Sequence, residues 1–259
     1  MTNTQGDFIW YELLTSDADA GQAFYGAVLG WKFSSGDAPE MDYRHIEASE
    51  GHIGGVMPIS AEMAEHGAIP AWLGYILVDS VDDSMTAISG AGGKVLLPAM
   101  DIPNVGRIAM VTDPHGAPFY IMTPISKSEN HAFSKERPRI GHCAWNELIT
   151  PDQAASWAFY GAQFGWENTD SMDMGPMGSY QFIAHDGVLG AMMKGIPEMG
   201  PPHWNHYFRV ADIDAAVAAV KAGGGSVING PMEIPGGDFS LNGIDPQGAH
   251  FGLVGARKA

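Results

Sequence analysis

Trp10-Tyr11-Glu12-Leu13-Leu14-Thr15, followed by Phe24-Tyr25-Gly26-Ala27 and Gly30-Trp31, is written twice in this chain. It returns 135 positions later as Trp145-Asn146-Glu147-Leu148-Ile149-Thr150, Phe159-Tyr160-Gly161-Ala162 and Gly165-Trp166. A second set, Trp72, Tyr75, Val78, Gly92-Gly93 and Asp113-Pro114-His115-Gly116, returns 132 positions later as Trp204, Tyr207, Val210, Gly224-Gly225 and Asp245-Pro246-Gln247-Gly248. Self-similarity at a fixed spacing marks a duplication, so the halves are copies of one another. Each set opens on a strand-like segment, continues as an amphipathic helix and ends in short alternating runs, which divides each half again and gives four units.

The helices show in the spacing. Phe24, Ala27, Val28 and Trp31, and likewise Ile213, Ala216, Val217 and Val220, recur at i, i+3, i+4 and i+7, which predicts one apolar stripe per helix. Gly90 with Gly92-Gly93, and Gly223 to Gly225, stop the second and fourth helices. No Gly-Lys-Ser/Thr follows these glycines, and they close helices where a phosphate loop would open one. Asp-Pro-x-Gly carries Pro and Gly at the positions of a type I turn, and a short apolar run follows each copy, so both copies read as hairpin turns. Residues 125–139 have neither period and include Lys127, Lys135, Arg137 and Arg139, which reads as a linker.

Composition sets the remaining bounds. The chain has 259 residues, 45% of them hydrophobic, enough for one large core or two ordinary ones. Thirty acidic against 13 basic side chains give a net charge of −17, which repels nucleic-acid phosphate and an anionic membrane surface. The single cysteine, Cys143, allows no intrachain disulfide, and the opening residues lack the regions of a signal peptide. No run of 18 apolar residues occurs. The expectation is a cytoplasmic protein.

A strand, a helix bearing Phe-Tyr about 14 residues after the strand start, Gly-Trp at the helix end and a late Asp-Pro-x-Gly turn resemble the vicinal oxygen chelate superfamily of glyoxalases, bleomycin-resistance proteins and extradiol dioxygenases. The resemblance covers nearly the whole chain. Trp72-x-x-Tyr75 with Val78, and Trp204-x-x-Tyr207 with Val210, further resemble tandem two-domain glyoxalase-like proteins of actinobacterial type. The resemblance implies an α+β fold of four βαβββ modules with cupped mixed sheets, in two domains at 1–124 and 140–259 joined by the 125–139 linker. It also implies a monomer whose second half supplies the partner that single-domain relatives find by dimerising.

The resemblance also implies where a metal would sit: a His or Gln on the first strand, a His on the fifth, and a Glu eight positions into Asp-Pro-x-Gly. Those positions hold Trp10, Leu73 and Tyr120 in the first half and Trp145, Asn205 and Gly252 in the second. A first-row divalent ion needs about three converging imidazole or carboxylate ligands, so no cofactor is expected. The competing reading is a metal-dependent lyase, isomerase or dioxygenase whose ligands have moved to Glu12, Glu147, His250 or His45.

Side chains two apart on a strand share a face. Glu12 is therefore expected beside Trp10 on the inner wall of one cup, and Glu147 beside Trp145 in the other. A carboxylate among aromatics is poised to move a proton, or accepts hydrogen bonds from a neighbouring Tyr or Trp. The same parity turns Tyr75, Tyr207, Arg209 and His250 inward. Glu147, Asn205, Tyr207, Arg209 and His250 thus make the second cup the preferred catalytic site, with Glu147 or His250 moving a proton and Arg209 holding an oxyanion. Arg209 in an internal ion pair is the rival. Trp10, Leu73, Tyr75 and Tyr120 read as an aromatic-walled binding pocket. His45, His52, His66, His115 and His131 are expected on loops or outer faces, and Cys143 as an apolar filler. The partner expected is a small carbonyl or aromatic compound, sequestered or turned over; a non-catalytic interaction scaffold is the third reading.

Overall fold

A computed structural model describes residues 3–36, 42–126, 130–133 and 139–258. Four βαβββ modules follow one another. The first is β1 (Phe8–Thr15), α1 (Ala18–Leu29), β2 (Lys32–Ser35), β3 (Arg44–Ala48) and β4 (Gly51–Pro58). After a short helix, α2 (Ala61–Glu65), the second is β5 (Ala71–Leu77), α3 (Val81–Gly90), β6 (Lys94–Ile102), β7 (Gly106–Thr112) and β8 (Pro118–Pro124). The third is β9 (Cys143–Thr150), α4 (Gln153–Phe164), β10 (Glu167–Asp173), β11 (Ser179–Ala184) and β12 (Val188–Lys194). The fourth is β13 (His203–Val210), α5 (Ile213–Ala222), β14 (Ser226–Glu233), β15 (Phe239–Ile244) and β16 (His250–Gly255).

The duplication repeats its chemistry at the helix ends. Asp17 and Asp152 cap α1 and α4 by accepting the amides of Ala20 and Ala155. Gly30 and Gly165 close the same helices at φ of 72° and 70°, left-handed backbone that favours glycine. The α1 stripe differs from its expected composition by one position. Ala18, Gly21, Phe24, Tyr25, Val28 and Leu29 are the buried set, Ala27 is exposed, and Trp31 lies past the cap, where its indole donates to the Gly141 carbonyl at 2.7 Å. Periodicity put the small Ala27 on a stripe where the helix buries Tyr25 instead.

The strands form two open eight-stranded mixed sheets, in the orders β2-β3-β4-β1-β5-β8-β7-β6 and β10-β11-β12-β9-β13-β16-β15-β14. In each module the first and last strands pair in parallel and the rest antiparallel, as a crossover helix followed by two hairpins requires. Each sheet is contiguous in sequence. Packing groups the chain otherwise, into one compact unit of Met1–Ile9, Leu73–Asn130 and Trp145–Asn205 and another of Trp10–Trp72, His131–Ala144 and His206–Ala259. Of the 125–139 segment, residues 127–129 and 134–138, with Lys127, Lys135 and Arg137, lie outside the described residues. Ala132 and Phe133 are buried, and Arg139 pairs with Glu50 at 2.8 Å.

Within each unit the core is aromatic and closes on a buried Trp–Tyr–Asp chain. In one, the Trp72 indole donates to the Tyr25 hydroxyl at 2.8 Å, and that hydroxyl donates to Asp245 at 3.1 Å. In the other, Trp204 donates to Tyr160 at 3.0 Å and Tyr160 to Asp113 at 3.3 Å. Trp and Tyr come from one half of the sequence and Asp from the Asp-Pro-x-Gly turn of the other. The second carboxylate oxygen stays in its own turn, Asp113 accepting the amides of His115 and Ala117, and Asp245 those of Gln247 and Ala249. The motif read as a hairpin turn is one, and is also the anchor between halves. Burial raises both Asp carboxyls above the usual value, and burial with the facing Asp pushes both Tyr hydroxyls well up.

Candidate functional site

The aromatic contacts fix which face of β5, β8, β13 and β16 turns to the helices. Trp72 packs on Tyr25, Phe251 on Phe24, and Trp204 and Phe119 on Tyr160. By alternation Leu73, Tyr75, Tyr120, Asn205, Tyr207 and Arg209, all predicted from sequence, lie on the opposite face of those strands. They are taken unit by unit.

On β9, the Trp145 indole donates to the Tyr180 hydroxyl at 2.8 Å, and Tyr180 donates to Glu147 Oε2 at 2.6 Å. A hydroxyl-to-oxygen distance this short fits a charge-assisted bond to a carboxylate. Glu147 is buried, and its register partner on β12 is Ala191. Tyr180 on β11 thus joins two residues that parity alone had placed side by side. In the same unit Asn205 and Leu73 are buried, and Tyr75 lies flat on its register partner Tyr120, with ring centroids 4.3 Å apart and 13° between planes.

In the other unit the same frame recurs around Trp10, whose indole donates to Tyr43 at 2.9 Å. Glu12 is buried, and its register partner is Gly55. A Cβ on Gly55 would collide with the Tyr43 hydroxyl, so the glycine makes room for that tyrosine. His45 and His52 are not on loops, and His45 is half-buried while His52 is exposed. They lie on β3 and β4 with rings 4.9 Å apart, and His45 meets Trp10 edge-on at 6.0 Å and Tyr43 at 5.6 Å. Arg209 is held by Asp238 at 2.7 Å, an internal pair whose acid the sequence did not single out. His250 is exposed at the first residue of β16, Cys143 is buried, and Tyr207 lies over Gly252, where a Cβ would collide with its ring.

Tyr43 and Tyr180 do not stand out in the repeat because they are 137 positions apart, against 135 for the first landmark set. The segment between the Gly-Trp pair and the Tyr is two residues longer in the second half, and a constant offset loses them. The signal was a Tyr about 34 residues after each Trp of Trp-x-Glu.

Comparisons with known proteins bear on this geometry. Residues 139–251 match the family described as Glyoxalase/Bleomycin resistance protein/Dioxygenase superfamily, and residues 7–49 the Bleomycin resistance protein-like N-terminal family. CFP32 of Mycobacterium bovis, which carries a provisional glyoxylase name, is 33% identical over 96% of this chain and 95% of its own. The anthracycline biosynthesis protein DnrV of Streptomyces peucetius is 28% identical over 96% of this chain and 93% of its own. Among solved structures, the Mn(II)-bound glyoxalase of Novosphingobium aromaticivorans superposes with a TM-score of 0.64 at 18% identity, over 99% of this chain and 83% of that one. Homoprotocatechuate 2,3-dioxygenase of Arthrobacter globiformis gives 0.67 at 17%, over 98% and 80%.

The residues present do not fit the metal that the resemblance implies. Where it puts ligands, this chain offers indole, aliphatic and phenol groups in Trp10, Leu73 and Tyr120, and indole, amide and a bare backbone in Trp145, Asn205 and Gly252. Tyr120 is committed to the stack on Tyr75, and Tyr207 fills the space a side chain at Gly252 would need. Among the described residues no three His, Cys, Asp or Glu side chains come together as a metal site. No helix among them is long and apolar enough to cross a membrane.

Proposed function

Because the chain belongs to the glyoxalase, bleomycin resistance protein and dioxygenase superfamily, we propose that it binds a small carbonyl or aromatic compound and moves a proton on it through Glu147, without routing that step through a metal. The observation that carries this is the 2.6 Å hydrogen bond from Tyr180 to Glu147 beside Trp145. In this reading Glu147 takes the proton from a carbon next to the carbonyl. Tyr180 holds the carboxylate in one orientation, and the indole bond at 2.8 Å fixes Tyr180 in turn. Trp145 presents an aromatic wall to the ligand, and the Asn205 amide is the donor for oxygen charge as it develops. Tyr75 and Tyr120, stacked on one another in the same unit, supply a second flat aromatic surface. The names of the relatives, glyoxylase and anthracycline biosynthesis protein, agree with chemistry on a small molecule.

Exchange of the α-protons of hydroxyacetone and of phenylpyruvate in D₂O, followed by NMR with and without a chelator, tests the reading. Exchange that survives chelation and falls about 100-fold or more in Glu147→Gln supports it, the ordinary contribution of a positioned base. Exchange unchanged in Glu147→Gln removes that residue from the mechanism. Exchange abolished by the chelator returns the chemistry to a metal. Binding without exchange leaves sequestration as the function.

A further inference from the structure

The first module carries a second constellation that the Glu147 site does not use. Ser34 Oγ donates to Glu47 Oε1 at 2.9 Å, and His52 Nε2 lies 3.4 Å from the same oxygen. His52 stacks obliquely on His45 at 4.9 Å, and His45 stands edge-on to Trp10 and Tyr43. A carboxylate fixed by a hydroxyl orients one imidazole, that imidazole adjoins a second, and the second faces an aromatic wall. Exposure runs the same way: the His52 and Glu47 side chains are 46% and 38% exposed, while His45 is half-buried. The path leads from solvent to the Trp10 wall.

The third module supplies a control on the same frame. Trp145 meets Phe182 at 5.8 Å and 84°, as Trp10 meets His45 at 6.0 Å and 89°. Phe182 pairs with Ala191 as His45 pairs with Gly55, and Ala184 pairs with Val188 as Glu47 pairs with His52. Three ionisable side chains in one copy are three apolar ones in the other, so the fold does not need them. The charged and titratable neighbours are Glu12 on β1, Lys32 on β2 as the register partner of Glu47, and Arg44 on β3, which is paired with Asp42 and Asp19. With carboxylates at both ends, a bare anion is disfavoured here, whereas a neutral acid that hands over its proton adds no net charge.

We infer that the first half holds a separate site for a planar hydroxyaromatic molecule, bound against Trp10 with its hydroxyl proton given to His45. The ligand O–H bond breaks, an N–H bond forms on His45, and His52 with Glu47 steadies the imidazolium or passes the proton to water. The ligand stays as a phenolate paired with His45. No oxidant or second reactant is required. The site is independent of Glu147, since it uses none of that site's residues.

4-Nitrophenol reports directly, because its phenolate absorbs in the visible. At a pH below the probe's own ionisation, the wild-type chain is expected to raise the phenolate band on titration. His45→Phe, which installs the residue found at Phe182, is expected to weaken that response about tenfold or more, one pKa unit of lost proton affinity. His45→Gln keeps a polar side chain of similar size without the basicity, so it is expected to bind the probe as the neutral phenol and lose the band. An unchanged urea midpoint in both variants shows that the fold is intact. No phenolate band in the wild type at millimolar probe, or a band that His45→Phe retains, overturns the inference.

Discussion

Around Trp10 the first module sets Tyr43, His45, Glu47 and His52; around Trp145 the third sets Tyr180, Phe182, Ala184 and Val188 in the corresponding places. The inner pair, Trp and Tyr, is the same in both, as is the Glu two residues after the Trp. The outer three differ completely in chemistry. The retained groups close hydrogen bonds at partly buried positions, where a missing partner is costly. The divergent ones line the half-exposed end of the sheet, where a swap from imidazole to phenyl or valine costs little stability. A duplicated frame thus separates what the fold requires from what it leaves free to vary.

The comparison breaks most severely at the groups common to both halves. Tyr25→Phe strips the hydroxyl from between Trp72 and Asp245, and Tyr160→Phe does the same between Trp204 and Asp113. Each leaves two buried polar groups without their partner, an expected cost of about 2 to 4 kcal/mol per variant by urea denaturation. If the halves are equivalent, the two losses agree. A loss confined to one variant assigns the anchor to one half alone.

Tyr43→Phe and Tyr180→Phe come next. Both remove one hydroxyl from a Trp indole at a part-buried position. Tyr43→Phe is expected to cost about 1 kcal/mol, and Tyr180→Phe, which also takes the donor from Glu147, about 2 to 3 kcal/mol. Only Tyr180→Phe is expected to slow α-proton exchange. Equal effects of the two on exchange would mean that Glu12 and Glu147 do the same work.

Much of this frame was legible from the repeat itself. Two landmark sets gave four modules, because each Phe-Tyr, Gly-Trp and Asp-Pro-x-Gly marks a helix face, a helix end or a hairpin that a βαβββ unit must have. Parity along β9 placed Glu147 with Trp145. What stayed hidden depends on contacts between distant segments. The Asp-Pro-x-Gly carboxylates were read only as turn formers, since nothing local says that their second oxygen reaches a tyrosine of the other half. His45 and His52 were assigned to loops or outer faces, because β3 is short and a bulge between Ile46 and Glu47 breaks the alternation that parity relies on. Arg209 was read first as an oxyanion holder and, as the rival, in an internal ion pair; it is in an ion pair, but its partner Asp238 sits just before β15, in a turn with no period to follow.

A smaller effect concerns pH. Asp113 and Asp245 both have folded carboxyls raised above the ordinary value of 3.8, mainly by desolvation. The folded chain therefore keeps protons there that the unfolded chain has released. Stability from this source is complete below the unfolded value and is lost as pH rises through the folded one. The urea midpoint of the Asp113→Asn, Asp245→Asn double variant is expected to fall less than that of wild type over that window. Parallel curves would mean that desolvation does not govern these carboxyls. Equal contributions from the two single variants would extend the equivalence of the halves to their electrostatics.

The smallest expected change in stability carries the sharpest test of the comparison. Phe182→His, Ala184→Glu and Val188→His together write the outer chemistry of the first module onto the frame of the third. All three positions are half-buried or exposed, so the urea midpoint is expected to move by no more than about 0.5 kcal/mol in free energy. If three outer side chains are enough to make a hydroxyaromatic site, this variant gains a second 4-nitrophenolate response, and the gain persists when His45→Phe silences the first. Should it gain none while folding normally, the frames differ in more than those three residues. Gly55, which pairs with His45 where Ala191 pairs with Phe182, is then the place to look, because a Cβ there would collide with the Tyr43 hydroxyl.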